Sequence, residues 1–308
     1  MPYDPSFING VSVPLPQLSD AVIGSALDDG GFVHHSRFSL VFNQDRGFAA
    51  CVAHNVDGQA LLSEQQTSRS FKLDPKILPK TLQVGNNRGY KHNDWDRGHM
   101  ARRKSLSWGD EDEAAIAERE SDFYSNICPQ HENLHDDAWG EIEDWMLERA
   151  IDDGRACVFT GPVFTSNDPE IINLPGQSPI KIPAGFWKII VIRVSGDLRA
   201  ASFLVWQRDY DSSSPLSFSP VLEQVRLTTI EVLTGLMFPA LRTFDPLLFD
   251  GNQDLISDSL AMARSSSGVV FGRSSPLELT DEALVRINGL HTASKSGSSV
   301  FSPHDIVI

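Results

Sequence analysis

Two segments, Phe186–Val194 (FWKIIVIRV) and Leu198–Trp206 (LRAASFLVW), are apolar almost without interruption. A strand with one wet face alternates apolar and polar residues, whereas a continuous run implies cover on both faces. The two segments therefore predict buried strands of a sheet that carries material on each side. Helices to supply that cover are legible nearby. Residues 136–153 (DDAWGEIEDWMLERAIDD) set Trp139, Ile142, Trp145, Met146, Arg149 and Ala150 at spacings of three and four, with Asp136 or Asp137 as the cap. Residues 219–242 predict a second amphipathic helix, with Val225, Ile230, Val232 and Leu233. An acidic helix is expected at 111–120.

Other stretches read as strands and turns. Residues 36–55 hold two apolar runs split by Asn43-Gln44-Asp45-Arg46-Gly47, the pattern of a β-hairpin. Residues 157–164 (CVFTGPVF) predict a strand broken by Gly161-Pro162, and residues 65–95 are basic and rich in turns. Strands interleaved with helices, with hairpins early, predict a mixed α/β or α+β fold. The expected organisation is an irregular arm at 1–30, one domain at 31–245 and a Ser-rich extension at 246–308. That extension is appended to the domain or partly disordered, with one short helix near Thr280–Leu290 capped by Thr280.

Three absences narrow the class. No run of about 18 apolar residues suggests a membrane span. The opening MPYDPSFINGVSVPLPQL has neither a basic n-region nor a continuous apolar h-region, and it is not an Arg-rich transit segment, so a cytoplasmic protein is expected. Cys51, Cys128 and Cys157 are odd in number and widely spaced, which predicts buried free thiols and not a disulfide framework.

Charge is distributed unevenly. The net charge of −15 counts against a polyanionic substrate. Residues 65–105, however, hold ten basic residues (Arg69, Lys72, Lys76, Lys80, Arg88, Lys91, Arg97, Arg102, Arg103, Lys104) against the acids Asp74, Asp94 and Asp96. A basic patch on an acidic body can hold phosphate, because screening limits distant repulsion to about 8–10 Å.

Hydrolysis of a phosphodiester needs a base for water, a cation to offset charge on the oxygens, and positive groups to hold the phosphate. His99 is the candidate base, since imidazole titrates near neutrality. Asp96 is expected to fix its tautomer, and Gly98 to leave room for close phosphate approach.

The segment Asp96-Arg97-Gly98-His99-Met100, followed by FYSNICPQ at 123–130 and by Trp139 and Glu143, resembles the DNA/RNA non-specific endonucleases of the ββα-metal (His-Me finger) fold. Further likenesses keep the family's order: Arg69-Ser70-Phe71-Lys72-Leu73-Asp74, FTGPVF at 159–164, Pro183 to Lys188, and Ile230 to Leu236. The resemblance covers roughly residues 33–245. It implies an α+β domain with a central antiparallel sheet flanked by helices. It also implies a metal-dependent, largely sequence-nonspecific endonuclease that acts on DNA or RNA and leaves 5′-phosphate ends. His99 would be the base and Asp96 its orienting partner. Arg69 and Arg97 would hold the scissile phosphate, Asn126 would support the site by hydrogen bonding, and Glu143 would hold metal-bound water.

The metal ligand departs from the pattern. The family places Asn after Leu between its Pro-Gln and its Trp; here that position is His135, with Asn133 two places earlier as the less favoured candidate. The implied cofactor is one divalent ion, Mg²⁺ or Mn²⁺, with imidazole extending tolerance to Co²⁺ or Ni²⁺. After Met100 the chain continues Ala-Arg-Arg-Lys, so Arg102, Arg103 and Lys104, with Lys72, are expected to bind the nucleic-acid backbone.

No base-reading module is evident, which predicts weak sequence preference. Uncontrolled cleavage inside a cell implies an inhibitor or an activating partner, and the chain could serve as a toxin or defence effector. Homodimers are common in the family. The competing expectation is a decayed nuclease scaffold that binds nucleic acid or regulates without cutting.

Overall fold

The two long apolar runs are neighbours near the middle of an eight-stranded antiparallel sheet. The computed structural model describes residues 1–63, 66–91, 93, 95–131, 134, 138–207, 221–248, 298–299 and 306. In chain order its strands are β1 (Gln17–Leu18), β2 (Val33–His35), β3 (Phe38–Asn43), β4 (Phe48–Asp57), β5 (Trp95–His99), β6 (Ile127–His131), β7 (Arg155–Val163), β8 (Glu170–Ile171), β9 (Ile180–Lys181), β10 (Gly185–Val194), β11 (Asp197–Trp206), β12 (Leu222–Val225), β13 (Leu236–Met237) and β14 (Ser298–Ser299). Its helices are α1 (Asp20–Ser25), α2 (Asn86–Gly89), α3 (Glu111–Ser121), α4 (Ala138–Asp153) and α5 (Leu227–Thr234). The large sheet has the order β14-β12-β11-β10-β7-β4-β3-β2. The fold is α+β, as expected.

Both faces of this sheet are covered. On one side Phe186, Ile190 and Phe203 pack with Trp139, Ile142 and Trp145 of α4. On the other, Trp187, Ile189 and Val191 pack with Ile230 and Leu233 of α5 and with Val22 of α1. The period of two along β10 sorts its side chains between these cores. Each fully buried side chain of this size contributes about 1.5–3 kcal/mol. The N-terminal arm is part of the second core: Tyr3, Phe7, Ile8 and Val13 are buried there, and β1 pairs with β13.

Two sequence expectations are corrected. Residues 219–242 do not form one helix. Leu222–Val225 pair with β11 as strand β12, and the helix begins only at Leu227. Sheet pairing with buried Leu222 and Val225 outweighs the helical spacing, and the helix stops at Gly235, whose φ of 69° suits a residue without Cβ. The other correction is that β7 runs unbroken through Gly161-Pro162. Its ladder with β4 ends at Thr160, so the proline stands where only β10 remains alongside. The helix expected at Thr280–Leu290 lies outside the described residues. Among the described residues no helix is long and apolar enough to cross a membrane, and the three cysteines are free and buried.

Candidate active site

Strands β5 and β6 form a small antiparallel ribbon apart from the main sheet, with His99 opposite Ile127 and Asp96 opposite Gln130. Helix α4 follows, so two strands and a helix frame the site. Side chains alternate along β5, which puts Arg97 and His99 on one face and Asp96 and Gly98 on the other.

That alternation corrects the role expected for Asp96. Asp96 is exposed, and the partner of His99 is Asp122, whose Oδ1 lies 3.1 Å from Nε2. A carboxylate only accepts, so Nε2 carries the proton and Nδ1 is the basic nitrogen. Burial lowers the His99 pKa below the usual imidazole value. Asp122 opposes that shift by hydrogen bond and charge, nearby Arg69 adds to it, and Glu143 opposes it. The ring is therefore neutral at pH 7, the form a base requires. Burial alone would disfavour the charge on Asp122, but hydrogen bonds from His99 and the Ser70 N–H, with the Arg103 guanidinium, hold its carboxyl below the usual range.

Arg103 is the second correction. Expected on the nucleic-acid face, it is 2% exposed. Nη1 donates to Asp122 Oδ2 at 2.8 Å and Nη2 to Glu118 Oε2 at 3.1 Å, and Nη2 also reaches Thr67. Five guanidinium N–H groups suit a buried hub between two carboxylates better than one surface contact. Its neighbours differ: Lys104 is exposed, and Arg102 is half-buried against Glu143 (Nε–Oε2, 3.4 Å) and Asp144 (Nη1–Oδ1, 2.6 Å).

Arg97 lies over the rings of Phe71 and Tyr90, 5.2 and 5.7 Å from their centroids, and donates to Asn86 Oδ1. The Phe71 ring is also 5.6 Å from that of His99. One aromatic side chain thus supports both the expected base and an expected phosphate-holding arginine. Arg69 is exposed, with its charge felt at His99. Asn126 is wholly buried and works as a clamp: Oδ1 accepts from the Ala101 N–H at 2.9 Å, while Nδ2 donates to the carbonyls of Ala101 and Ser121. It fixes the chain just after His99 to the turn that carries Asp122.

Gly98 is small for a reason other than phosphate approach. A Cβ there would lie 2.0 Å from Gln130 Oε1 and 2.4 Å from its Cγ, and Gln130 is fully buried. Overpacking of this kind costs about 1–3 kcal/mol. Gly98→Ala is expected to lower the urea midpoint accordingly; an unchanged midpoint would show that Gln130 can move aside.

Glu143 is 4% exposed on α4. Its Oε1 accepts from Lys188 Nζ at 2.7 Å, and its Oε2 faces Arg102. Both oxygens being engaged, this carboxylate is better suited to hold a water than to bind a cation directly. Among the described residues no three His, Cys, Asp or Glu side chains are grouped as a metal site. The expected ligands His135 and Asn133, and the caps Asp136 and Asp137, lie outside the described residues. Of the expected metal-holding residues only Glu143 is described, and its engaged carboxylate fits a divalent ion through water alone, a manner in which Mg²⁺, which keeps several waters, is commonly held.

Comparison with known proteins gives the following. The family model described as DNA/RNA non-specific endonuclease matches residues 24–241. The Nuclease of Serratia marcescens is 31% identical over 216 residues, which cover 67% of this chain and 73% of that one. An uncharacterized protein of Sinorhizobium fredii is 30% identical over 230 residues, 68% of this chain but only 33% of its own length. Mitochondrial endonuclease G of Homo sapiens is 24% identical over 159 residues, 49% of this chain and 50% of that one. This chain therefore spans from a third to about three quarters of the length of these relatives. A solved structure of the EndoG/EndoGI complex superposes with a TM-score of 0.53 at 22% identity, covering 67% of this chain and 84% of the other.

Proposed function

Because this chain belongs to the DNA/RNA non-specific endonuclease family, we propose that it hydrolyses phosphodiester bonds in DNA, RNA or both, with His99 as general base. The observation that carries this reading is the neutral, buried His99 whose Nε2 is held by Asp122, which leaves Nδ1 to take a proton from water. Arg69 and Arg97 hold the scissile phosphate, Arg97 stiffened by its aromatic neighbours. Asp122 and Asn126 are positioning residues: one sets the tautomer, the other the backbone beside it. A divalent ion would be held by His135, or less favourably Asn133, with Glu143 acting through water; when bound it offsets charge on the phosphoryl and leaving oxygens. Products are 5′-phosphate ends. Arg102 and Lys104 serve as contacts to the nucleic-acid backbone. Control by an inhibitor or an activating partner, and homodimer assembly, belong to the same proposal, since uncontrolled cleavage would endanger the host.

Plasmid DNA and RNA incubated with the protein and Mg²⁺ or Mn²⁺ should be degraded, and excess EDTA should stop the reaction. Intact nucleic acid in both metals would leave only the non-catalytic, nucleic-acid-binding reading. An imidazole in place of the family's amide at position 135 further predicts faster cleavage with Mn²⁺ than with Mg²⁺. Parallel rates in the two ions, or a preference for Mg²⁺, would count against His135 as the ligand.

A further inference from the structure

Behind the loop that carries Arg69 is an open cleft of about 610 Å³, its walls including Ser68, Ser70, Lys72, Ile116, Arg119 and Phe123. We propose that this cleft is a second nucleic-acid subsite, which takes the sugar-phosphate and base of a nucleotide neighbouring the scissile phosphate on a single strand. The inference rests on the nuclease reading and extends it to residues with no part in the chemistry.

The 67–72 loop is the wall between the two places. On one side Arg69 bears on His99, and the Ser70 N–H donates at 2.7 Å to the same Asp122 carboxylate that holds His99. On the other side Ser68, Ser70 and Lys72 line the cleft. A strand leaving the reacting phosphate over this loop therefore enters the cleft directly. Helix α3 supplies the far wall with Ile116 and Arg119, and Phe123 follows the helix.

The chemistry of the walls matches a nucleotide. Lys72 and Arg119 are exposed, and neither side chain has a hydrogen bond or ion pair among the described residues. Two cations that face one cleft with no such partner among the described residues favour an external anion there. Ser68 and Ser70 add hydroxyl donors. Phe123 is half-buried and Ile116 is 43% exposed, which together give a base an apolar surface. The acid in the cleft is Glu120, whose Oε2 accepts from the Ser36 N–H at 2.5 Å and lies 4.0 Å from His35 Nδ1. Its charge is drawn to the β2 side, away from the cations. Glu118, on the same helix, is wholly buried and is satisfied by the Thr67 and Gln66 N–H groups and by Arg103.

The test is equilibrium binding of a fluorescent single-stranded oligonucleotide in EDTA, across a KCl series, with wild type, Arg119→Ala, Lys72→Ala and Arg119→Glu. Each neutralisation should weaken binding several-fold at low salt and flatten the slope of log K against log[salt] by about 0.7, the share of one phosphate contact on a single strand. Charge reversal at Arg119 should weaken binding further. Wild-type affinity and slope in all three variants would overturn the cleft while leaving the nuclease reading intact. If the wild type binds no oligonucleotide in EDTA yet cleaves plasmid DNA in Mg²⁺, the cleft falls and the nuclease reading stands; only the absence of cleavage in both ions removes that reading. Arg119 and Lys72 are exposed, so circular dichroism should show every variant folded.

Discussion

His99→Ala is expected to lower cleavage of plasmid DNA by about two to four orders of magnitude, the range over which a positioned general base contributes. The fold should survive, because Asp122 keeps Arg103 and the Ser70 N–H after losing the imidazole. A retained melting transition together with lost cleavage would separate chemistry from stability. The pH profile makes the prediction specific to a base. Cleavage needs neutral His99, and burial lowers its pKa. The rate should therefore hold steady as pH falls towards the ordinary imidazole value of about 6.5 and drop only below it. Asp122→Asn removes the carboxylate that partly opposes that lowering, so the acid limb should move lower still. It also permits the wrong tautomer, because an amide can donate to Nε2 as well as accept from it. The variant should therefore lose rate at every pH. An acid limb that stays in place in Asp122→Asn would mean that another group limits the rate.

These two variants also mark how far the sequence could be read. The sheet was legible because Phe186–Val194 and Leu198–Trp206 never alternate, and α4 because its apolar residues keep helical spacing over four turns. Such patterns are local, so one chain suffices. His99 was legible through the short motif around it. Its partner was not, because Asp122 is 23 residues away and reaches it through tertiary packing. Nothing in Ser121-Asp122-Phe123 distinguishes that acid from its many neighbours on and after α3. Asp96 is nearer in sequence, yet an odd separation along a strand sends it to the opposite face. At Gly98 the missing Cβ makes room for Gln130 and not for the expected phosphate, across a ribbon that sequence spacing does not display. The 219–242 segment failed for a related reason: whether Leu222–Val225 joins a sheet depends on β11, which the segment's own pattern cannot encode.

Arg103 gives the largest expected change in stability. Arg-Arg-Lys after Met100 looks like one basic patch, but its members have different fates, and Arg103 is the one turned inward. Arg103→Ala would leave Glu118 and Asp122, each with at most 1% of its side chain exposed, without their guanidinium. Removing one partner of a buried ion pair costs about 3–5 kcal/mol, because the carboxylates left behind keep only hydrogen bonds and have neither solvent nor a countercharge. Against a typical total of about 5–15 kcal/mol, that is a large share, and the urea midpoint should fall steeply. Arg103→Lys keeps the charge but loses the fork that spans Glu118, Asp122 and Thr67, so it should lie between wild type and alanine. Activity should fall along the same series even at temperatures where the variants remain folded, because Asp122 would no longer be fixed beneath His99. A surface arginine would behave in the opposite way: its loss would leave the midpoint unchanged and flatten only the salt dependence of nucleic-acid binding. Measuring both quantities on Arg103→Ala and Lys104→Ala should give opposite patterns, midpoint lost in the first and salt slope in the second. Identical patterns would refute the division of this basic run into a buried hub and an exposed contact.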